Sequence, residues 1–273
     1  MAEHEPIPEP IQEGTKESAE RLEGELSPET LELMQRTFDF LGIKKDVTKE
    51  YATANIIFPT PEQVEEAKEL GYTFPLLIDG TIGRKRFIRR AQKAFAEEFG
   101  SKGIVFQEYT QTQYAYYTKE SQHSTRPQSL YVIYLKPDQE EEVEIEHPKN
   151  AKDCQTSLRT QQSQNPSLNI KGLTVPEYIY FIAALYQRER AKGNIPDPRK
   201  EVNLPKSWTR LLSEVVYNSS SDPLFCLKAY WYNDGCEIHI GSDNYSDPSS
   251  IVLGARFAVV PGELETQPET PES

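Results

Sequence analysis

Cys236 and His239 form a C-x-x-H pair, two residues of the type and spacing that hold zinc. A structural site needs two further ligands, normally a second close pair. Cys154 and His147 are available, but neither belongs to such a pair, so no metal and no cofactor is expected. The three cysteines are an odd set, too few for a disulfide framework in 273 residues. Cys226 and Cys236 could face each other across a hairpin, or all three could be small buried thiols. A nucleophile activated by histidine would have to use His123, His147 or His239, since His4 lies in an acidic tail. None of the three stands in a recognisable nucleophile elbow. The glycine-rich dinucleotide and phosphate loops and the H-E-x-x-H zinc motif do not occur. The expectation is a protein that is not an enzyme.

Two segments have chemistry suited to binding. Arg84, Lys85, Arg86, Arg89, Arg90 and Lys93 fall within ten residues. On a helix Arg86, Arg89, Arg90 and Lys93 share a face, while Phe87, Ile88, Ala91 and Phe95 turn inward. That face is either a patch for phosphate or an acidic partner, including the protein's own tails, or a solvated surface paired with nearby glutamates. The second segment runs from Ala229 to Ser250. It is dominated by Tyr, Asn, Ser, Asp and Gly, with one Glu and no Lys or Arg. Tyrosine gives contact area at small rotamer cost, and the small polar residues give adaptable hydrogen bonds, which is the chemistry of binding loops. Ordinary turns share that composition.

The elements that would position these segments follow from punctuation and periodicity. Net charge is -13, but residues 1–27 carry eight Glu against Lys16 and Arg21, and residues 262–273 carry four Glu and no base. The body is thus nearly neutral, which excludes a globally basic nucleic-acid binder. Residues 1–26 and 263–273 read as disordered acidic tails, too poor in large apolar residues to offset the entropy of ordering. Helices are expected from Ser27-Pro28 to Gly42, from Thr60 with its capping box to Gly71, and from about Arg84 to Gly100. Strand-like runs follow at Ile104–Phe106, Tyr114–Tyr117 and Leu130–Leu135. Asp138 to Glu146 reads as an edge strand or a solvated loop. Residues 147–168, polar and aperiodic, read as a linker or a long surface loop. A capping box at Thr174 and Glu177 opens another helix, and a short one is expected over Lys206 to Tyr217. Strands are expected over Leu224 to Tyr232, Cys236 to Gly241 and Ile251 to Val260, the first two joined by an Asp234-Gly235 hairpin. No apolar run approaches a membrane span. Met1 is followed by Ala-Glu-His-Glu and not by a secretory signal, so a cytoplasmic location is expected, with virion association left open.

Gly172-Leu173-Thr174-Val175-Pro176-Glu177-Tyr178 resembles the first helix of the C-type lectin-like domain in variable proteins of diversity-generating retroelements. Trp208 to Ser213, Ala229-Tyr230-Trp231 and Leu253 to Val260 continue the similarity, which covers about residues 165–262. It implies an α+β fold with a C-type lectin-like, ligand-binding domain over 151–262, preceded by a smaller α+β region over 27–150. It implies a display protein whose C-terminal surface is diversified by adenine-directed mutagenesis of Asn-type codons and recognises a protein ligand. Such codons cannot become Trp, Glu, Lys or Gln, and between Ala229 and Ser250 only Trp231 and Glu237 fall outside their reach. Trp231 would then be fixed scaffold, and Tyr230, Tyr232, Asn233, Asp234, Gly235, His239, Asn244, Tyr245 and Asp247 the variable surface. Calcium-dependent sugar binding is not expected, because Trp231-Tyr232-Asn233-Asp234 has an extra Tyr within the lectins' Trp-Asn-Asp run and no Glu-Pro-Asn motif occurs. Nucleic acid is not an expected partner on this reading. The alternative is a nucleic-acid-associated or regulatory module that uses the basic helix 84–93.

Overall fold

The computed structural model describes residues 26–107, 126–136, 151–193, 209–217, 223–232, 234–244 and 254–262. The Tyr114–Tyr117 run, the acidic stretch from Asp138 and the acidic tails up to residue 25 and from 263 lie outside these residues. Leu26, expected in the tail, is buried. The elements in chain order are α1 (Pro28–Phe40), α2 (Val47–Ala52), β1 (Ile56–Ile57), α3 (Pro61–Glu69), β2 (Phe74–Asp79), α4 (Arg84–Phe99), β3 (Ile104–Phe106) and β4 (Leu130–Leu135). Then come α5 (Ala151–Gln164), β5 (Ile170–Gly172), α6 (Val175–Ala191), β6 (Thr209–Tyr217), β7 (Pro223–Tyr232), β8 (Glu237–Asn244), β9 (Gly254–Ala255) and β10 (Phe257–Val259). The architecture is mixed α+β.

The helix starts form as the local sequence dictates. Ser27 accepts from the Thr30 amide, and Thr60 and Thr174 each close a capping box with Gln63 and Glu177. Gly100 ends α4 in the left-handed conformation, at φ 64°. Two expectations are corrected. The polar stretch 147–168 contains helix α5, whose buried stripe is only Ala151, Cys154 and Leu158, too narrow to stand out among Gln, Ser and Thr. The expected helix at Lys206 to Tyr217 is, from Thr209 onward, strand β6, antiparallel to β7 and parallel to β9. Leu211 and Leu212 are both buried, because both faces of β6 are covered, and a doubly covered strand loses the alternation that would reveal it.

Two five-stranded sheets result. In the first, β4 pairs antiparallel with β2 along its whole length, with β1 in parallel at one end and β10 antiparallel at the other, and β10 in turn pairs with β5. The second runs β3-β8-β7-β6-β9. Strands from both sides of residue 150 enter each sheet, since β4 pairs with β10 and β3 with β8. The sheets approach each other at Gly172, where a Cβ would lie 2.6 Å from that of Leu212. Helix α6 is apolar nearly all round and is buried from Val175 to Gln187 except at Pro176, as expected of a helix inside a core.

A helix that starts inside a core cannot satisfy its first amides with water. Here Glu177 carries that load. Its carboxylate takes Arg126 Nε at 2.7 Å and Nη2 at 3.2 Å, the Tyr131 hydroxyl at 3.2 Å and the Thr174 amide at 2.8 Å. Arg126 also donates to the Gly172 carbonyl at 2.9 Å. The two side chains are 4% and 0% exposed. Burial by itself would raise the Glu177 carboxyl, but the Arg126 guanidinium and the Thr174 bonds hold it below its usual value. Burial and the Glu177 charge push the Tyr131 hydroxyl well up.

Glu177→Gln leaves the Arg126 charge buried without its counter-ion and should cost about 3–5 kcal/mol in urea unfolding at pH 7. The folded carboxyl titrates below the unfolded one, so its contribution is complete above about pH 4.3 and is lost as pH falls through the folded value. The gap between wild type and Glu177→Gln should therefore narrow when the same unfolding curves are measured at pH 3. A gap that is constant with pH would show that the carboxylate charge contributes nothing.

Candidate ligand-binding surface

The β7–β8 hairpin separates its residues by pleat. Leu227, Ala229 and Trp231 on β7, and Ile238 and Ile240 on β8, are buried. Trp231 is 1% exposed, and its ring centroid lies 6.0 Å from that of Phe95 and 5.3 Å from that of Phe99 of α4. The opposite face carries Lys228, Tyr230 and Tyr232 against Gly241, His239 and Glu237, each pair directly opposed across the strands. Over β6 that face is closed by α5, where Arg210 is buried with Nη1 3.5 Å from Cys154 Sγ. Towards the turn it meets solvent. Tyr232 is 39% exposed, Asp234 is exposed, and Tyr230, Glu237 and His239 are half-buried.

The rings at this end touch. The His239 centroid lies 5.1 Å from both Tyr230 and Tyr232, which are 6.3 Å apart, with interplanar angles between 57° and 65°. His239 Nε2 is 3.1 Å from Glu237 Oε2, and Glu237 Oε1 accepts from the Lys102 amide at 3.0 Å. The turn is tied down from behind by Ser101 Oγ, which donates to the Cys236 carbonyl at 3.1 Å. A Cβ on Gly235 would lie 2.8 Å from the Tyr232 ring and 3.2 Å from the Glu237 carboxyl carbon, so this glycine leaves room for the ring. The left-handed residue of the turn is Cys236, at φ 49°, and not Gly235. Burial, and then the neighbouring Tyr232 and Glu237, raise the Tyr230 hydroxyl above its usual value.

Of the expected variable positions, Tyr230, Tyr232, Asp234, Gly235 and His239 come together at this end of the hairpin. Asn244 lies at the far end of β8, opposite Phe225. Asn233, Tyr245 and Asp247 lie outside the described residues. Glu237 was not among the expected positions, although its place two residues before His239 on a strand puts both on one face. Cys226 and Cys236 sit at opposite ends of the hairpin, and the three cysteines are buried and form no disulfide. Among the described residues no group of three or more His, Cys, Asp or Glu is placed to hold a metal. No protein family, curated protein or solved structure matches the chain.

Two other features stand apart from the hairpin. On α4, Lys85, Arg86, Arg89 and Lys93 are exposed, and Lys93 lies 3.6 Å from Glu97. Among the described residues Arg86 and Arg89 have no ion pair, and the first turn of α4 holds no acidic residue. Arg90 is half-buried and acts on the Tyr180 hydroxyl. An open groove of about 420 Å³ separates α1, α4 and α6, where Glu98 takes Arg190 Nη1 at 2.8 Å.

The pleat should separate the buried ring from the exposed one energetically as well. Trp231→Ala empties a core site and should cost about 3–5 kcal/mol in chemical unfolding. Tyr232→Ala, on the solvent side of the same strand, should cost about 1 kcal/mol or less. Equal losses would mean that both rings belong to the core.

Proposed function

We propose that this chain is a ligand-binding display protein whose binding surface is the outward face of the β7–β8 hairpin, and that its C-terminal part is the C-type lectin-like domain of a retroelement variable protein. The observation that carries the reading is the alternation at residues 230–232. A buried Trp231 anchors the strand, while Tyr230 and Tyr232 stand on the other face beside His239. A binding surface that must change its side chains without losing its shape needs such a backbone, paired on both sides and fastened at its turn. Preformed rings lose little freedom when they bind, so more of the contact energy remains as affinity. The architecture of the segment supports the same reading. β5 and β10, near its two ends, pair with each other, and β6, β7 and β8 form the platform between them. The partner is a protein, because a shallow aromatic and polar face suits a broad contact better than an enclosed small molecule.

The combined Tyr230→Ala, Tyr232→Ala and His239→Ala chain should unfold cooperatively with its melting temperature lowered by a few degrees, and should lose about 100-fold or more in calorimetric affinity for a partner bound by the parent. Retained affinity would remove this face from the binding surface. Sequencing of the segment coding for residues 229–250 across a population should show changes at adenines in Asn-type codons, with the Trp231 and Glu237 codons constant. A segment without such changes would remove the diversification.

A second reading, a nucleic-acid-associated module, is favoured by Arg86 and Arg89 alone. It requires salt-dependent binding of a duplex DNA or RNA probe that is lost in Arg86→Glu/Arg89→Glu.

A further inference from the structure

We propose that Glu237, ringed by Tyr230, Tyr232 and His239, is a fixed anchor for a guanidinium group, an arginine side chain presented by the protein partner. The inference rests on the reading of the hairpin as a binding surface and names the chemistry which that surface takes.

Adenine change in Asn-type codons reaches every residue type found from Ala229 to Ser250 except those of Trp231 and Glu237. On the proposed reading Trp231 would be constant for a visible reason, since its ring is in the core. Glu237 is not in the core. It is directly opposite Tyr232, the most exposed ring of the cluster, and on the same face as His239. On the proposed reading a residue of fixed type and charge would thus sit within the exchangeable surface.

Its carboxylate is already in place. One oxygen is held by the Lys102 amide and the other by His239, and the side chain is 13% exposed, so little rotamer freedom remains to be lost on binding. An ionised carboxylate has about four acceptor positions, and those two contacts leave room for further donors. Around it, three rings inclined by 57° to 65° offer π faces, which attract a cation within about 6 Å of a ring centroid. A guanidinium suits this arrangement better than an ammonium, because its plane stacks on a ring while its edge donates to a carboxylate. The charge around the turn has the matching sign. Asp234 is exposed beside the cluster, and after burial it is Glu237 and Asp234 that push the Cys236 thiol up. Lys228, on the same face, lies opposite Gly241, beyond the Tyr230–His239 pair.

The chain has four histidines, so the ring signals of His239 can be assigned in the whole protein by one substitution and followed by NMR. Nα-acetyl-arginine methylamide should shift the His239 ring signals with saturation at roughly millimolar concentration, the range expected of a single side chain. The rings of His4, His123 and His147 should stay in place. The citrulline analogue, of nearly the same shape but uncharged, should bind about ten-fold more weakly or not at all. Glu237→Gln, which keeps an acceptor for Lys102, should weaken the arginine probe by about five-fold or more, and Tyr232→Ala should weaken it further. If citrulline and arginine shift His239 alike and Tyr232→Ala abolishes both, the surface binds but not through charge, and the anchor is overturned alone. An equal response to the lysine analogue would overturn the preference for a guanidinium. Silence of His239 towards all three probes overturns the anchor, and the affinity measurement on the triple alanine variant then decides the surface independently.

Discussion

The structure depends on one buried charge. Glu177 sits inside the protein at the first turn of α6, and four donors from three separate parts of the chain converge on its carboxylate. An ion that is taken out of water loses solvation worth several kcal/mol, which is recovered only when every acceptor position is met with good geometry. A carboxylate so placed has one acceptable position. Through it, Arg126 before β4, Tyr131 on β4 and Thr174 at the helix start acquire fixed relative positions, and the bond from Arg126 to Gly172 adds β5 to the set. Apolar contacts select geometry less sharply, because a core tolerates exchange of hydrophobic side chains when volume is kept.

From that point order passes to the hairpin by packing. α6 leaves its anchored first turn and runs through the core to Tyr186, whose ring lies 4.9 Å from Phe99 of α4, which lies 5.3 Å from Trp231 of β7. The sequence of contacts is aromatic throughout, and aromatic rings in contact have few alternative packings. The Tyr230, Tyr232 and His239 rings therefore stand on a strand whose other face is locked to the helix layer. The rigidity of the surface comes from the residues behind it.

How much of this could be read from the sequence depended on the range of the interaction that decided each element. Capping is local, so Ser27, Thr60 and Thr174 marked three helix starts correctly. The composition of residues 229–250 is local too, and the rings of Tyr230, Tyr232 and His239 from it are in contact on one face. Strand β6 was missed because long-range pairing with β7 and β9 determines it, and because the burial of both its faces, one of them under α5, removed its alternation. Helix α5 was missed because three buried residues in fourteen give almost no periodic signal. The Arg126–Glu177 pair spans 51 residues and looks, in sequence, like one cation and one anion among many. Glu237 fell outside the positions expected to vary, and its contact with His239 is visible only in the folded strand.

The same geometry limits how the exposed face can vary. Positions 232 and 235 are coupled, because the Tyr232 ring occupies the space that any Cβ on residue 235 would need. A larger residue at 235 must therefore turn the aromatic ring out of the cluster or accompany a smaller residue at 232, and Glu237, 3.2 Å from the same point, blocks movement on its side. The Tyr230 ring meets His239 and Tyr232, so a change at 230 also bears on the same cluster. If the face is diversified as proposed, its repertoire would be smaller than the product of its positions. Under the proposed function, 232 and 235 would behave as one choice, made beside a carboxylate held by the Lys102 amide and His239.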